Sequence, residues 1–257
     1  MRPAARILAV VLLLCVAAGA ALWVLPARWV MAWIPANSPV VVVDASGSIW
    51  AAKAQLAVGV PGLRRTVPGL AQWRLQFDPA PVLVVQHAWL RGPVALSATW
   101  RGVRLTGQSL QLPASVLTTL HPLFNTLDPG GALSIEWPDL LLRGGGGAVP
   151  AQGGSRLLTA RWQQASSSLS RIRPFGDYTL AADQIDEGAL QFTVQTERGP
   201  LLIEGRGRLP RGGRLSFDGR ARADASSGPD VRAALRGVLD VLGPGAGETG
   251  EVALRLR

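Results

Sequence analysis

Apolar and polar residues alternate with a period of two through much of the chain, and that regularity restricts it to β-sheet. Val94, Leu96, Ala98 and Trp100 alternate with Ala95, Ser97 and Thr99. Leu190, Phe192 and Val194 alternate with Gln191, Thr193 and Gln195. Leu215, Phe217, Gly219 and Ala221 oppose Arg214, Ser216, Asp218, Arg220 and Arg222, and near the end Val252, Leu254 and Leu256 oppose Ala253, Arg255 and Arg257. Successive side chains of a strand point to opposite faces, so these runs predict sheet with one apolar and one solvated face. Glycine and proline punctuate the runs, and few stretches suit a crossover helix, so the sheet is expected to be curved and largely antiparallel.

Two segments break the rhythm. In SGPDVRAALRGVLDVLG, Val231, Leu235, Val238, Leu239 and Leu242 form one helical stripe ended by Gly243 and Pro244. PASVLTTLHPLF predicts at most two or three turns between Pro113 and Pro122. The glycine-rich run 143–155 is expected to be a flexible loop, either a surface excursion or a divider between two β-rich halves.

The N-terminus sets the compartment. Arg2 and Arg6 precede Ile7–Leu25, a run of 19 residues without charge, 11 of them Leu, Ile or Val. As a helix it measures roughly 28 Å, close to the ~30 Å hydrocarbon core. Trp23, Trp29 and Trp33 cluster at its far end, where indoles favour the membrane interface. Residues 1–33 are therefore expected to be a cytoplasmic stub and single transmembrane anchor, with 34–257 a periplasmic β-rich domain. The alternative is a removed signal peptide cleaved near Ala18-Gly19-Ala20. Cys15, the only cysteine, follows Leu14, which disfavours a lipoprotein and leaves no disulfide framework.

The formal charge of +9 is almost wholly arginine, Lys53 being the only lysine. No nucleic-acid motif or basic block accompanies it, and a body outside the cytoplasm argues against a nucleic-acid partner. Arg206, Arg208, Arg220 and Arg222 share parity on neighbouring strands, giving either a basic contact face for acidic partners or lipid headgroups, or an ordinary solvated face. His87 and His121 lack ligand spacing. Asp183, Asp186 and Glu187 read as a solvated turn, and the serines of QASSSLSR lie in no nucleophile motif. No enzyme, metal or cofactor is expected.

The order of short motifs along the whole chain resembles the type II secretion system protein N family. These motifs are LPARWVMAW, GSIWAAKA, LAQWRLQFDP, FGDYTL, GPLLIEGRGRL, GGRLSFDGRARA and the terminal helix–strand LRGVLDVLG…GEVALRLR. Gly47, Trp50, Gly176, Asp177 and Tyr178 carry the family-like positions. In the family pattern a glycine closely follows the tryptophan; here Ala51 and Ala52 stand there. The resemblance implies a non-enzymatic subunit of the inner-membrane part of a machine exporting folded proteins across the outer membrane. It implies one span, a periplasmic domain, and as partners the platform proteins L and M and the secretin, protein D. The chain also looks distantly like AsmA-type periplasmic proteins, whose curved sheets shield lipid chains. Trp50, Trp73 and Trp100 are accordingly expected to cover the apolar face of the sheet, or to line a lipid groove on it.

Overall fold

The computed structural model describes residues 12–14, 16–17, 19–20, 24–29, 31, 34–77, 79–144, 147–185, 188–243 and 251–256. Ten of the 19 residues of the expected span 7–25 lie outside these, Cys15 and Trp23 among them, as do Trp33, Asp186, Glu187 and Pro244. Among the described residues no helix is long and apolar enough to cross a membrane.

Strands dominate, as the alternation predicts, and every strand pair described is antiparallel. They form two eight-stranded sheets rather than the one expected. The first contains β1 (Val40–Ser48), β2 (Ala51–Val58), β3 (Arg65–Phe77), β4 (Pro81–Gln86), β5 (Val94–Thr99) and β6 (Gly102–Leu105), then β9 (Leu140–Arg143) and β10 (Gly147–Pro150). The second runs in space from β16 (Glu251–Leu256) through β15 (Ser216–Ala223), β14 (Leu201–Leu209), β13 (Ala189–Arg198), β12 (Gly176–Ile185), β11 (Arg156–Ser166) and β8 (Gly130–Trp137) to β7 (Gln108–Pro113). The chain thus changes sheets at 106–107, at 138–139 and at 151–155, the last within the glycine-rich run.

Asp139 ties the three changes together. Its Oδ1 accepts from Gly107 N at 2.6 Å, and its backbone carbonyl accepts from Ala151 N at 2.7 Å. Its Oδ2 lies 2.5 Å from Arg104 Nη2. The Gly107 N–H and the Arg104 guanidinium hold the carboxyl below its ordinary value of 3.8. Asp139→Ala removes both bonds and is expected to cost about 1–2 kcal/mol, the scale of charge-assisted hydrogen bonds near a surface. Because the folded-state pKa is depressed, this stability is present above the unfolded value and is lost as pH falls through the folded one. Urea titrations should therefore separate wild type from variant at pH 7, with the difference shrinking as pH falls from about 3.8 through the lower folded-state value.

The main core lies on the inner face of the second sheet. Helix α1 (Leu123–Leu127) and helix α2 (Pro229–Leu242) lie against it and share a cluster with Phe175, Tyr178, Leu201, Ala221 and Val252. The α2 stripe faces inward as expected, with Leu235, Val238 and Leu239 buried. Pro229 and Asp230 occupy its first turn, where a missing N–H costs nothing and a carboxylate complements the positive end of the helix. Gly243 ends it in extended backbone; a Cβ there would come within 2.8 Å of Val252 Cγ1. The other predicted helix divides at His121–Pro122 into a 3₁₀ segment, Ala114–Thr119, and α1. Between the sheets, the free edge of β7 bonds to the β4–β5 connection, with Gln111 N donating to Trp89 O at 2.7 Å and Arg91 N to Ser109 O at 3.0 Å.

Candidate functional surfaces

FGDYTL builds the core of the second sheet. Trp162 packs edge-on to Phe175 at 5.9 Å and tilted to Tyr178 at 5.8 Å. The Tyr178 hydroxyl donates to Leu201 O at 2.9 Å. Burial pushes this phenol well above its usual pKa, and the Asp177 carboxylate adds to the shift. A Cβ on Gly176 would fall 2.6 Å from that hydroxyl, so the position has no room for a side chain. Asp177 Oδ1 accepts from Gln164 N at 2.7 Å, supporting a left-handed residue in β11 with φ 50°. Gly176, Asp177 and Tyr178 thus shape the fold. Phe175, 2% exposed, is an equal member of the group that the sequence reading did not single out.

The three tryptophans do not form one row on a strand face. Trp73 is half-buried on β3, opposite Ala52 and Val85, and its Nε1 donates to Ile49 O at 3.0 Å. Trp50 sits in the β1–β2 turn, its ring 6.0 Å from Phe77. Trp100 departs from expectation: β5 ends at Thr99, and the indole stands in the β5–β6 turn, 87% exposed, with the Arg101 guanidinium 4.4 Å above it. The alternation that would bury it stops where Gly102, at φ 137°, turns the chain. The positive-φ glycine beside this turn is Gly47, near the end of β1. Gly47 has φ 100°, and a Cβ there would lie 2.5 Å from Ala51 O.

Arg206, Arg208, Arg220 and Arg222 do share the outer face of β14 and β15, as their parity predicts. Acids interleave with them. Glu204 Oε1 lies 2.8 Å from Arg220 Nε, and Asp218 sits in register between Arg206 and Arg255. Glu251 is 3.9 Å from Arg220 and in register with Arg222. The shallow depression here, about 660 Å³, is therefore a lattice of alternating sign rather than a basic strip. Exposed pairs of this kind contribute only ~0–1 kcal/mol each.

Titratable groups elsewhere are dispersed. His87 Nδ1 accepts from Trp89 N, and His121 Nδ1 from Leu123 N, both local contacts. Asp183 pairs with Arg156 at 2.7 Å. Ser167 donates to Leu127 O at the end of α1, and Ser170 to Ile172 O within its own turn, so both hydroxyls are engaged with backbone. No group of three His, Cys, Asp or Glu able to hold a metal occurs among the described residues. On the inner face of the second sheet, beyond Trp162 and Tyr178, the register continues with Leu158, Leu180, Phe192 and Val194, all half-buried.

A family model for type II secretion system (T2SS), protein N, matches residues 38–255. No curated protein and no solved structure matches the chain.

Proposed function

The chain belongs to the type II secretion system protein N family, and from that premise we propose that it is a non-enzymatic platform subunit of the inner membrane. The observation that carries this reading is the family match over residues 38–255, most of the chain. In this reading Ile7–Leu25 anchors the protein with its N-terminus in the cytoplasm, and the two sheets lie in the periplasm. Proteins L and M of the platform and the secretin, protein D, are the proposed partners. The antiparallel sheets suit a scaffold, because backbone pairing and a covered core need no bound group to hold them together.

A second reading, lipid handling, is favoured by one observation. Helices α1 and α2 pack on part of the second sheet's inner face, and Leu158, Leu180, Phe192 and Val194 beyond them are only half-buried. An apolar face partly open to solvent can shield acyl chains. Deleting the gene separates the two readings with two readouts from one culture. For a secretion subunit, exported protein in the medium falls sharply while the outer membrane still excludes a large hydrophobic antibiotic. Normal export with a permeable outer membrane favours the lipid reading and overturns the first.

A further inference from the structure

The segment just after the apolar run is bonded to one end of the first sheet. Ile49 N donates to Leu25 O and Ala27 N to Gly47 O, both at 3.0 Å, and Pro26 bridges Ser48. Leu25 is the last residue of the run itself, so no linker separates the run from the β1–β2 turn.

Three more turns gather at that same end. Ala51 pairs with Arg74, which places the β3–β4 turn beside the β1–β2 turn. Val82 pairs with Ser97, and Val103 with Leu142, which bring the β5–β6 and β9–β10 turns to the same level. Three aromatics at this end are exposed, Trp29 by 53%, Phe77 by 64% and Trp100 by 87%, while Trp50 in the β1–β2 turn is half-buried against Phe77. By sequence these connections carry Arg28 and Arg101, with Arg143 at the adjoining end of β9, against a single acid, Asp78.

Large aromatics held open to solvent beside arginines match the water–hydrocarbon boundary, where indoles and snorkelling cations are favoured. The excess of arginine suits anionic headgroups. We propose that this end of the first sheet rests on the membrane surface, with Trp100 and Phe77 dipping into the headgroup layer of an anionic bilayer. The inference rests on the anchor reading above, and goes beyond it by fixing the orientation of the whole domain. Held at Leu25 and seated through the turns, the strands of the first sheet point away from the bilayer, and the β2–β3 loop lies roughly 27 Å further out along β2.

The test uses the full chain in vesicles of phosphatidylethanolamine and phosphatidylglycerol. In a Cys15→Ala background, Trp100→Cys, Phe77→Cys and, as the distal control, Pro61→Cys in the β2–β3 loop each carry a nitroxide. Collision with oxygen relative to a water-soluble nickel chelate then reports depth. Labels at 100 and 77 should show a ratio at least about threefold above that at 61, as interfacial placement requires. Equal ratios at all three sites in protein that floats with the vesicles overturn the proposal while leaving the anchor intact. Protein that fails to float overturns the anchor reading, and this inference with it.

Discussion

Replacing Phe175 with alanine should destabilise the protein by about 3–5 kcal/mol, the usual cost of emptying a buried aromatic site. Phe175 is 2% exposed and its ring makes two of the three aromatic contacts of one cluster, to Trp162 and to Tyr178, which also touch each other. The surrounding backbone has little freedom to collapse into the space. Phe175 N donates to Ala165 O at 2.8 Å, and Phe175 O accepts from Leu201 N at 3.2 Å. Urea unfolding of the detergent-solubilised chain, followed by tryptophan fluorescence, gives the number. Trp100→Ala is the matched comparison: a larger ring is removed, yet its exposure limits the change to about 0.5 kcal/mol. A loss below about 1 kcal/mol for Phe175→Ala would mean that the core is not centred on this cluster.

Gly199→Ala should be nearly as damaging, by about 3 kcal/mol, although it adds one carbon. Gly199 turns β13 into β14 at φ 118°, a conformation a side chain resists. A Cβ there would also land on the Cα of Gly176 and 2.6 Å from Phe175 O. The two glycines are thus a close approach of backbone to backbone beneath the aromatic cluster, and neither neighbour can rotate away. Gly153→Ala isolates the conformational part, because Gly153 has φ 88° but nothing within 4 Å of a Cβ. That variant should lose only about 1 kcal/mol. Comparable losses at the two positions would show that the Gly176 contact carries no cost of its own.

Features that depend on local periodicity were legible in the sequence. Period-two runs located β5, β13, β15 and β16, and the α2 stripe identified Leu235, Val238 and Leu239 as inward-facing. Features that depend on which strand lies beside which were not. The arginines of β14 and β15 had the right parity, but the neutralising Glu204, Asp218 and Glu251 became visible only with the register. Trp100 obeyed the alternation up to the residue where the strand stops, and its exposure followed from a turn set by Gly102. Two sheets read as one because the connections at 106–107 and 138–139 are only two residues long, indistinguishable in sequence from hairpin turns. Asp139, which joins them, follows a proline in an unremarkable turn, and no local pattern marks it.

The exchange of strands between sheets also constrains the order of assembly. Synthesis delivers the chain from its N-terminus, so β1 to β6 appear first and can pair in succession. Their sheet cannot be finished then, because β9 must return across 39 residues to join Val103 to Leu142. The β7–β8 pair lies in between, and the second edge of β8 gains its strand only when β11 arrives to pair Thr159 with Glu136. The edge of β6 therefore stays unfinished until about residue 143 and that of β8 until about residue 166, each a template for pairing with the wrong chain. Pairings of such long sequence separation form slowly, and a domain built this way benefits from being kept away from other copies while the second sheet is still arriving.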